Sequence, residues 1–295
     1  MRKRLLAAIV ATSAVALTAI AYTATASADP QPHPTLTTHA TTSKATRDAP
    51  GDYWTPRRIA AAKPKPAPKV DSGIATKSHK GAETVIPGTS VDGKAVTESI
   101  GRLLFSDDTG DYICSATVIS SQNKSVIATA RHCGFNSGGK NYRFAPNYNQ
   151  GNAPYGWWDW KSAGWVTGGD GITDDYAFIV LNQQDGKSVG DVVGSTGVAF
   201  NKDIGVDAHI VGIPGATDAV TQCTGKAYAG PQSQQLMDNC DGMSGGASGG
   251  AWVVDYQGDG SATQTGTYFG SYGDAAAGSY FDDDAKGVYD GAQTA

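Results

Sequence analysis

Three residues in this sequence have the types and the order that nucleophilic catalysis requires. Ser248 lies in GGASGGAW, residues 245–252, where glycines on both sides would leave its hydroxyl accessible. A serine is a weak nucleophile until a base takes its proton, and His132 in IATARHCGF follows an apolar run that could hold such a base. The base needs a buried acceptor to fix its tautomer, and Asp175 in TDDYAFIVL directly precedes a strand-like run. Together the three side chains could carry out acyl transfer.

Each of the three positions has a competitor nearby. Ser244 in GMSGGA satisfies the same small motif, but only Ser248 is followed by Gly-Gly-Ala-Trp and an apolar strand. Asp174 is adjacent to Asp175, and alternation along a strand points only one of the two inward. His209, in the alternating segment DAHIVGI, is interpreted as a structural histidine. We therefore favour His132 and Ser248, and at this point either Asp174 or Asp175 could be the acceptor.

The elements that must position these residues are short strands. The chain has 295 residues, 40% of them hydrophobic, with 38 glycines and three methionines, a composition typical of strands and tight turns. Segments with strand character recur between turn residues: RLLF, YICSATVIS, SVIATA, YRFAP, GWVTG, DYAFIVL, DAHIVGI, GGAWVV and TYFGSY. We expect an all-β sandwich or barrel, with one short helix at the tail FDDDAKGVYDGA.

The N-terminal residues have the pattern of a secretory signal. Positive charge at residues 2–4 precedes an apolar stretch over residues 5–22 and an Ala-Ser-Ala site, which predicts cleavage after Ala28 and a secreted protein. A membrane anchor is the alternative, because the apolar stretch approaches the length of about 18 residues that can span a bilayer. We expect no other membrane contact.

Residues 29–80 differ in composition from the remainder. They are rich in Thr, Ser, Ala and Pro, carry nine Lys or Arg against four Asp, and have too few apolar residues to fold alone. Residues 81–295 carry eleven basic residues against twenty-four acidic ones. We interpret residues 29–80 as a basic, disordered propeptide, a linker being the alternative, and expect it to inhibit the domain in a salt-sensitive way or to assist its folding. The acidic domain disfavours nucleic-acid binding.

The four cysteines, Cys114, Cys133, Cys223 and Cys240, would meet an oxidising compartment after export. Three pairings are conceivable. Pairing in sequence order would close two short loops, each worth about 3 kcal/mol in the chain-entropy model. Without a C-x-x-C motif, a zinc or redox site has little support.

The motifs T-A-x-H-C, D-Y-A-x-x-x-L and G-x-S-G-G-x-W, in this order, resemble those of the chymotrypsin-like serine peptidases, and the intervening segments resemble secreted actinomycete members. The resemblance covers about residues 101–273. It implies two antiparallel β-barrels, about 99–182 and 183–278, with the site in the cleft between them. It also implies that His132 is the general base, Asp175 its orienting partner and Ser248 the nucleophile of a zymogen-type serine endopeptidase.

Further roles follow from the same resemblance. The backbone N–H groups of Gly246 and Ser248 would form the oxyanion hole, and Ser271, Tyr272 and Gly273 would wall the specificity pocket and pair with the substrate backbone. Asp241 or Gly242 would lie at the base of that pocket, depending on one insertion, and Asp241 would favour basic side chains.

Two positions depart from the family pattern. Arg131 stands where a small residue is more common and adds positive charge near the site. Ala247 stands where digestive members carry an aspartate that pairs with the new N-terminus after activation. A buried ammonium without a partner is costly, so we expect no such insertion here.

Other features have more than one interpretation. The tryptophans at 157, 158, 160 and 165 are interpreted as core packing, with a carbohydrate platform as the alternative. The acidic run 282–284 is interpreted as a solvated turn rather than a calcium site. We predict a monomer that acts on protein or peptide substrates without a cofactor or metal. A disabled binding module and an esterase on the same fold remain alternatives.

Overall fold

A computed structural model describes residues 33–38, 53–69, 81–91, 98–168, 171–231, 234–257, 261–272 and 274–295, the first of these by its backbone alone. The predicted signal peptide lies outside the described residues. Among the described residues, no helix is long and apolar enough to cross a membrane.

The described residues form seventeen strands and three short helices, so the all-β prediction is confirmed. In chain order these are β1 (His33–Thr38), α1 (Pro56–Ala61), β2 (Lys63–Pro64), β3 (Thr84–Ile86), β4 (Ile100–Asp107), β5 (Gly110–Val118), β6 (Val126–Thr129), β7 (Lys140–Pro146), β8 (Trp158–Thr167), β9 (Ala177–Leu181), α2 (Val189–Val193), β10 (Gly197–Phe200), β11 (Asp207–Gly212), β12 (Thr221–Lys226), β13 (Tyr228–Ala229), β14 (Gln234–Met237), β15 (Ala251–Val254), β16 (Thr263–Tyr272), β17 (Ala275–Tyr280) and α3 (Asp283–Ala292).

The first sheet closes into a barrel of six antiparallel strands in the order β8-β7-β4-β5-β6-β9, because β9 pairs again with β8. Strand β1 adds to β8 on the outside, and β2 adds to β5 in parallel. The strands that line this barrel are almost continuously buried, as their apolar sequences predict, and its core includes Leu103, Phe144 and Ile179.

The second sheet has the order β12-β11-β15-β16-β17-β14-β13, with β10 and β3 added beside β16. It curves around a core that includes Ile210, Trp252 and Tyr268. Among the described residues its two end strands, β12 and β13, do not pair with each other. The predicted chymotrypsin-like double barrel is confirmed, with one closed barrel and one curved half-barrel sheet.

Each of the two disulfides joins two cysteines that are consecutive among the four in the sequence. Cys114 on β5 is bonded to Cys133, the neighbour of His132, and Cys223 on β12 is bonded to Cys240 after β14. The first bond therefore fixes the loop that carries the candidate base to a central strand of the first barrel.

The predicted C-terminal helix is confirmed as α3. The Asp282 side chain caps it by accepting a hydrogen bond from the Ala285 N–H at 3.1 Å. The helix packs Val288 and Tyr289 against a cluster that contains Phe178 and Phe281. Its N-terminal carboxylates thus have a structural role at the helix start.

Two local expectations were wrong. Helices with caps do occur before the tail, since Thr55 caps α1 and Ser188 and Asp191 form a capping box on α2. Residues 53–69, which lie inside the segment expected to be disordered, fold against the first barrel. They do so because their few apolar residues complete a surface of that barrel instead of forming a core of their own. The predicted boundaries of the propeptide stay a prediction.

Candidate active site

His132 and Asp175 form a buried, doubly bonded pair. Asp175 Oδ2 lies 2.7 Å from His132 Nδ1, and Asp175 Oδ1 accepts the His132 backbone N–H at 2.7 Å. Asp175 is 0% exposed and His132 is 3% exposed, so water does not compete for these bonds. Since β6 pairs with β9, the loop after β6, with His132, and the residues just before β9, with Asp175, are brought together at one end of the barrel. The carboxylate therefore fixes the orientation of the imidazole ring.

The second sheet holds the main chain of Asp175. The hydroxyls of Thr267 on β16 and Ser279 on β17 donate to the Asp175 carbonyl oxygen at 3.0 and 3.1 Å. The two hydroxyl oxygens lie 2.7 Å apart, so one hydroxyl can instead donate to the other while the second keeps its bond to the carbonyl oxygen. The candidate acid is thus tied to both sheets.

Ser248 lies in a tight turn between Ala247 and β15, beside the loop that carries His132. Its carbonyl oxygen accepts the Ser115 N–H at 2.7 Å and lies 3.8 Å from Cys133 Sγ. Gly249 has a φ of +80°, and a side chain at this position would meet Ala130 N at 2.8 Å. Glycine after the serine is therefore required by both conformation and space.

The Ser248 hydroxyl does not bond His132 in this structure. It donates to the Phe269 carbonyl oxygen on β16 at 3.4 Å, and His132 Nε2 is buried without a hydrogen-bond partner among the described residues. Hydrogen bonds between catalytic groups are often long or absent without substrate, and a rotation of χ1 would redirect the hydroxyl.

Asp174 and Arg131 form a separate ion pair. Arg131 donates to Asp174 Oδ2 at 2.6 Å, and Asp174 Oδ1 accepts the Gly171 N–H at 2.9 Å. The positive charge expected from Arg131 is therefore matched by its neighbour. Of the two adjacent carboxylates, only that of Asp175 is bonded to His132.

The turn before Ser248 has a fixed peptide orientation. The Gly245 carbonyl oxygen accepts the Gly215 N–H at 2.8 Å. In a trans peptide the C=O and N–H point in opposite directions, so the Gly246 N–H points away from Gly215. Gly246 has a φ of +98°, and a Cβ on it would lie 2.6 Å from Gly215 N. The direction of the Gly246 N–H is thus fixed without any side chain at Gly246.

A buried arginine supports this turn from the first barrel. Arg102 on β4 is 1% exposed and donates to the carbonyl oxygens of Ile213 at 2.7 Å and Gly246 at 3.3 Å. Its charge is matched by Asp218 at 2.8 Å. Burial lowers the pKa of Arg102, and the bond to Asp218 opposes that shift. The sequence signal for this residue was a single arginine within the apolar run RLLF.

The predicted specificity residues are only partly described. Ser271 and Tyr272 lie at the end of β16, two and three residues after Phe269, and Gly273 lies outside the described residues. Asp241 is exposed, as is Gly242. Their roles in a specificity pocket stay predictions.

The competing features have structural explanations. His209 Nδ1 bonds Gln222 at 2.6 Å, its ring stacks on Tyr256, and burial lowers its pKa. Three of the four clustered tryptophans are buried, and Trp165 packs on the first core. Among the described residues, one group of potential metal ligands is present, Cys114, His132 and Cys133, and both of its sulfur atoms are in a disulfide. They offer no thiolate to a metal.

The fold and this arrangement define a class, namely double-barrel proteins with a buried His-Asp pair beside a serine in a glycine turn. A scan against models of protein families gives no match, and neither does a search of curated proteins. Solved structures do match. A thermostable serine protease, AL20, from an extremophilic microorganism is 32% identical and aligns with 67% of this chain and 98% of its own, with a TM-score of 0.61. The protease Anisep from Arthrobacter nicotinovorans is 29% identical over 70% of this chain and 100% of its own, with a TM-score of 0.61.

The chain therefore belongs to the serine proteases of chymotrypsin fold, and the predicted family is confirmed. Peptides are the substrate class of such enzymes.

Proposed function

We propose that this protein is a secreted, monomeric serine endopeptidase in which Ser248 is the nucleophile, His132 the general base and Asp175 its orienting partner. The observation that carries the proposal is the double hydrogen bond between Asp175 and His132, buried next to the turn that contains Ser248. Secretion rests on the signal pattern in residues 1–28.

The reaction proceeds through an acyl-enzyme. The Ser248 hydroxyl attacks the carbonyl carbon of a peptide bond while its proton passes to His132 Nε2, which has no competing partner. Asp175 stabilises the resulting imidazolium. The proton then moves to the leaving amine as the C–N bond breaks, and water hydrolyses the ester by the same steps in reverse order.

The N–H groups of Gly246 and Ser248 stabilise the oxyanion. This assignment is supported by the fixed direction of the Gly246 N–H, which the bond between Gly245 and Gly215 turns away from Gly215. One donor of this kind is typically worth about 100- to 1000-fold in turnover. The end of β16, residues 271–273, binds the acyl side of the substrate, and Asp241 is the candidate selector of a basic side chain.

The test is hydrolysis of an internally quenched peptide that is blocked at both ends, so that only an endopeptidase can cleave it. We expect the wild-type protein to cleave it and Ser248→Ala to lose all activity above background. Ser244→Ala is the matched control and should retain most activity. If Ser248→Ala cleaves at a comparable rate while Ser244→Ala does not, the nucleophile is wrongly assigned. Cleavage of esters but not of this peptide would favour the esterase alternative.

A further inference from the structure

Residues 53–69, hereafter the strap, are anchored in the first barrel by Trp54. The indole is 1% exposed and its Nε1 donates to the Asn141 carbonyl oxygen at 2.6 Å. It shares a buried cluster with Leu104 and Tyr148. An apolar anchor of this size is not weakened by salt screening.

Charged groups add to this anchor. Arg58 pairs with Asp111 at 2.9 Å, and the Tyr53 hydroxyl donates to the same carboxylate at 2.7 Å. Lys65 forms an ion pair with Asp107 and lies 4.1 Å from the centre of the Tyr112 ring. The basic segment is thus matched to acidic residues of β4 and β5.

The strap then runs along the candidate active site. Lys63 and Pro64, as β2, pair in parallel with Tyr112 and Ile113 of β5. A Cβ on Gly245, next to the proposed oxyanion hole, would lie 2.9 Å from Pro64 Cβ.

Three residues later the strap lies beside β16. A Cβ on Gly270 of β16 would lie 3.0 Å from Ala67 Cβ. Gly270 directly follows Phe269, whose carbonyl oxygen accepts the Ser248 hydroxyl. The strap therefore passes from β5 and Gly245, beside Pro64, to β16, beside Ala67.

We infer that the strap closes the substrate cleft in the direction opposite to that of a substrate, and so keeps the full chain latent without being cut by Ser248. The inference rests on the proposed function. If β16 binds the acyl side of a substrate, the leaving side must depart past Gly245 and β5, so a substrate chain runs from β16 to β5. The strap runs from β5 to β16.

Reversed polarity explains how the segment can lie beside Ser248 and remain intact. In a peptide bound in the reverse direction, N–H groups lie where a substrate has its carbonyl groups, and carbonyl groups lie where a substrate has its N–H groups. Attack on it would aim the oxyanion away from the N–H of Gly246 and the leaving nitrogen away from His132. Both contributions to transition-state stabilisation are then lost.

The strap also covers the edge of β5, which the leaving side of a substrate would pass. A cavity of about 560 Å³ lies between it and the first barrel, lined by Pro56, Ile59 and Ala62 of the strap and by Ile113 and Gly215 opposite. A substrate cannot enter this side while the strap is in place.

The first experiment compares full-length proteins that carry an inserted site for an unrelated protease between residues 70 and 80. We expect the uncut wild-type chain to hydrolyse the blocked peptide at least tenfold more slowly than uncut Trp54→Ala. Arg57→Ala is the matched control, because Arg57 is an exposed basic residue of α1 in the strap, and this variant should stay latent. If Trp54→Ala does not accumulate as soluble protein, the double variant Arg58→Ala/Lys65→Ala takes its place.

The outcomes separate this inference from the proposed function. If the uncut wild-type chain already hydrolyses as fast as the cut chain and as fast as Trp54→Ala, the strap does not inhibit. If no form of the protein hydrolyses the peptide, cut or uncut, the proposed function fails and the latency inference fails with it.

The second experiment tests the direction with paired cysteines in the full chain. The pairs Pro64→Cys with Gly245→Cys and Ala67→Cys with Gly270→Cys would have Cβ separations of 2.9 and 3.0 Å. Disulfides need about 3.5–4.5 Å, so each pair should cross-link after a small outward shift of the exposed strap. The exchanged pairs, Pro64→Cys with Gly270→Cys and Ala67→Cys with Gly245→Cys, should not. Peptide mapping without reduction identifies the bonds, and cross-linking of the exchanged pairs alone would overturn the proposed direction.

Discussion

At the scale of single residues, the candidate chemistry depends on how Asp175 holds His132. One carboxylate oxygen bonds the ring and the other bonds the backbone N–H of the same residue, so ring and main chain are fixed together. The Asp175 main chain is bonded independently, by Thr267 and Ser279. A change to the carboxylate alone should therefore alter the chemistry more than the fold.

We predict that Asp175→Asn lowers turnover by about 10⁴ while the protein stays folded. The amide has the shape of the carboxylate, but it would stabilise the wrong tautomer and would not stabilise the imidazolium. Turnover on the blocked peptide and the thermal midpoint, both measured after removal of the strap, check this. His209→Gln, the control, should retain most activity. A loss of less than tenfold in Asp175→Asn would contradict the role given to Asp175.

The sequence predicted the contact between His132 and Asp175, because each lies in a motif whose order and neighbours are distinctive. It did not predict Arg102, Ser115 or Phe269, which support the site through backbone carbonyls and N–H groups. Such contacts depend on which strands are neighbours in the fold, and the residue types involved do not indicate them. The lone charge in RLLF was the one available signal.

At the scale of elements, most strands with apolar runs were predicted, but β10, with its buried run GVAF, was missed, and so were strands without such runs. Strand β12 alternates between half-buried and exposed residues in TQCTGK, and β17 consists of small residues in AAAGSY. Neither has the apolar periodicity of a strand, and both form because the neighbours β11 and β16 offer them a paired edge. The strap was missed for a related reason, since its partner surface is more than forty residues away in sequence.

The strap makes the stability of the full chain depend on pH. Burial alone would raise the pKa of Asp107, but hydrogen bonds from Lys65, Thr109 and Ser137 outweigh it and hold that pKa well below its usual value of about 3.9. A carboxylate with a depressed pKa stabilises the folded state fully above the unfolded pKa, and this contribution is lost as the pH falls below about 4.

We predict that Asp107→Asn lowers the thermal midpoint of the full chain at pH 7 and that the difference from the parent shrinks as the pH falls from about 4 toward 3. Both proteins should carry Ser248→Ala to prevent self-digestion. Asp108→Asn is the matched control, because the Asp108 side chain is 91% exposed and its pair with Lys140 should contribute little. An equal difference at pH 3 and pH 7 would show that the Asp107 charge does not act as described.

At the scale of the whole molecule, activation should expose an oxyanion hole that is already formed rather than build one. Ala247 is fully buried and offers no charge to a new N-terminus. The turn at Gly246 is held instead by Gly215 and Arg102, which are in place while the strap is bound. The basic strap on an acidic domain, noticed in the sequence as a change of charge, is the element whose release would open the cleft.

The central claim is that Ser248 is a reactive nucleophile. The most direct test of it is labelling with a fluorophosphonate followed by peptide mapping. The full-length chain is cut at a protease site inserted between residues 70 and 80, and the strap is then removed. We predict one label per chain, on the peptide that contains Ser248, with none in Ser248→Ala and no change when the new N-terminus is acetylated. No label, or a label on Ser244 instead, would contradict the account.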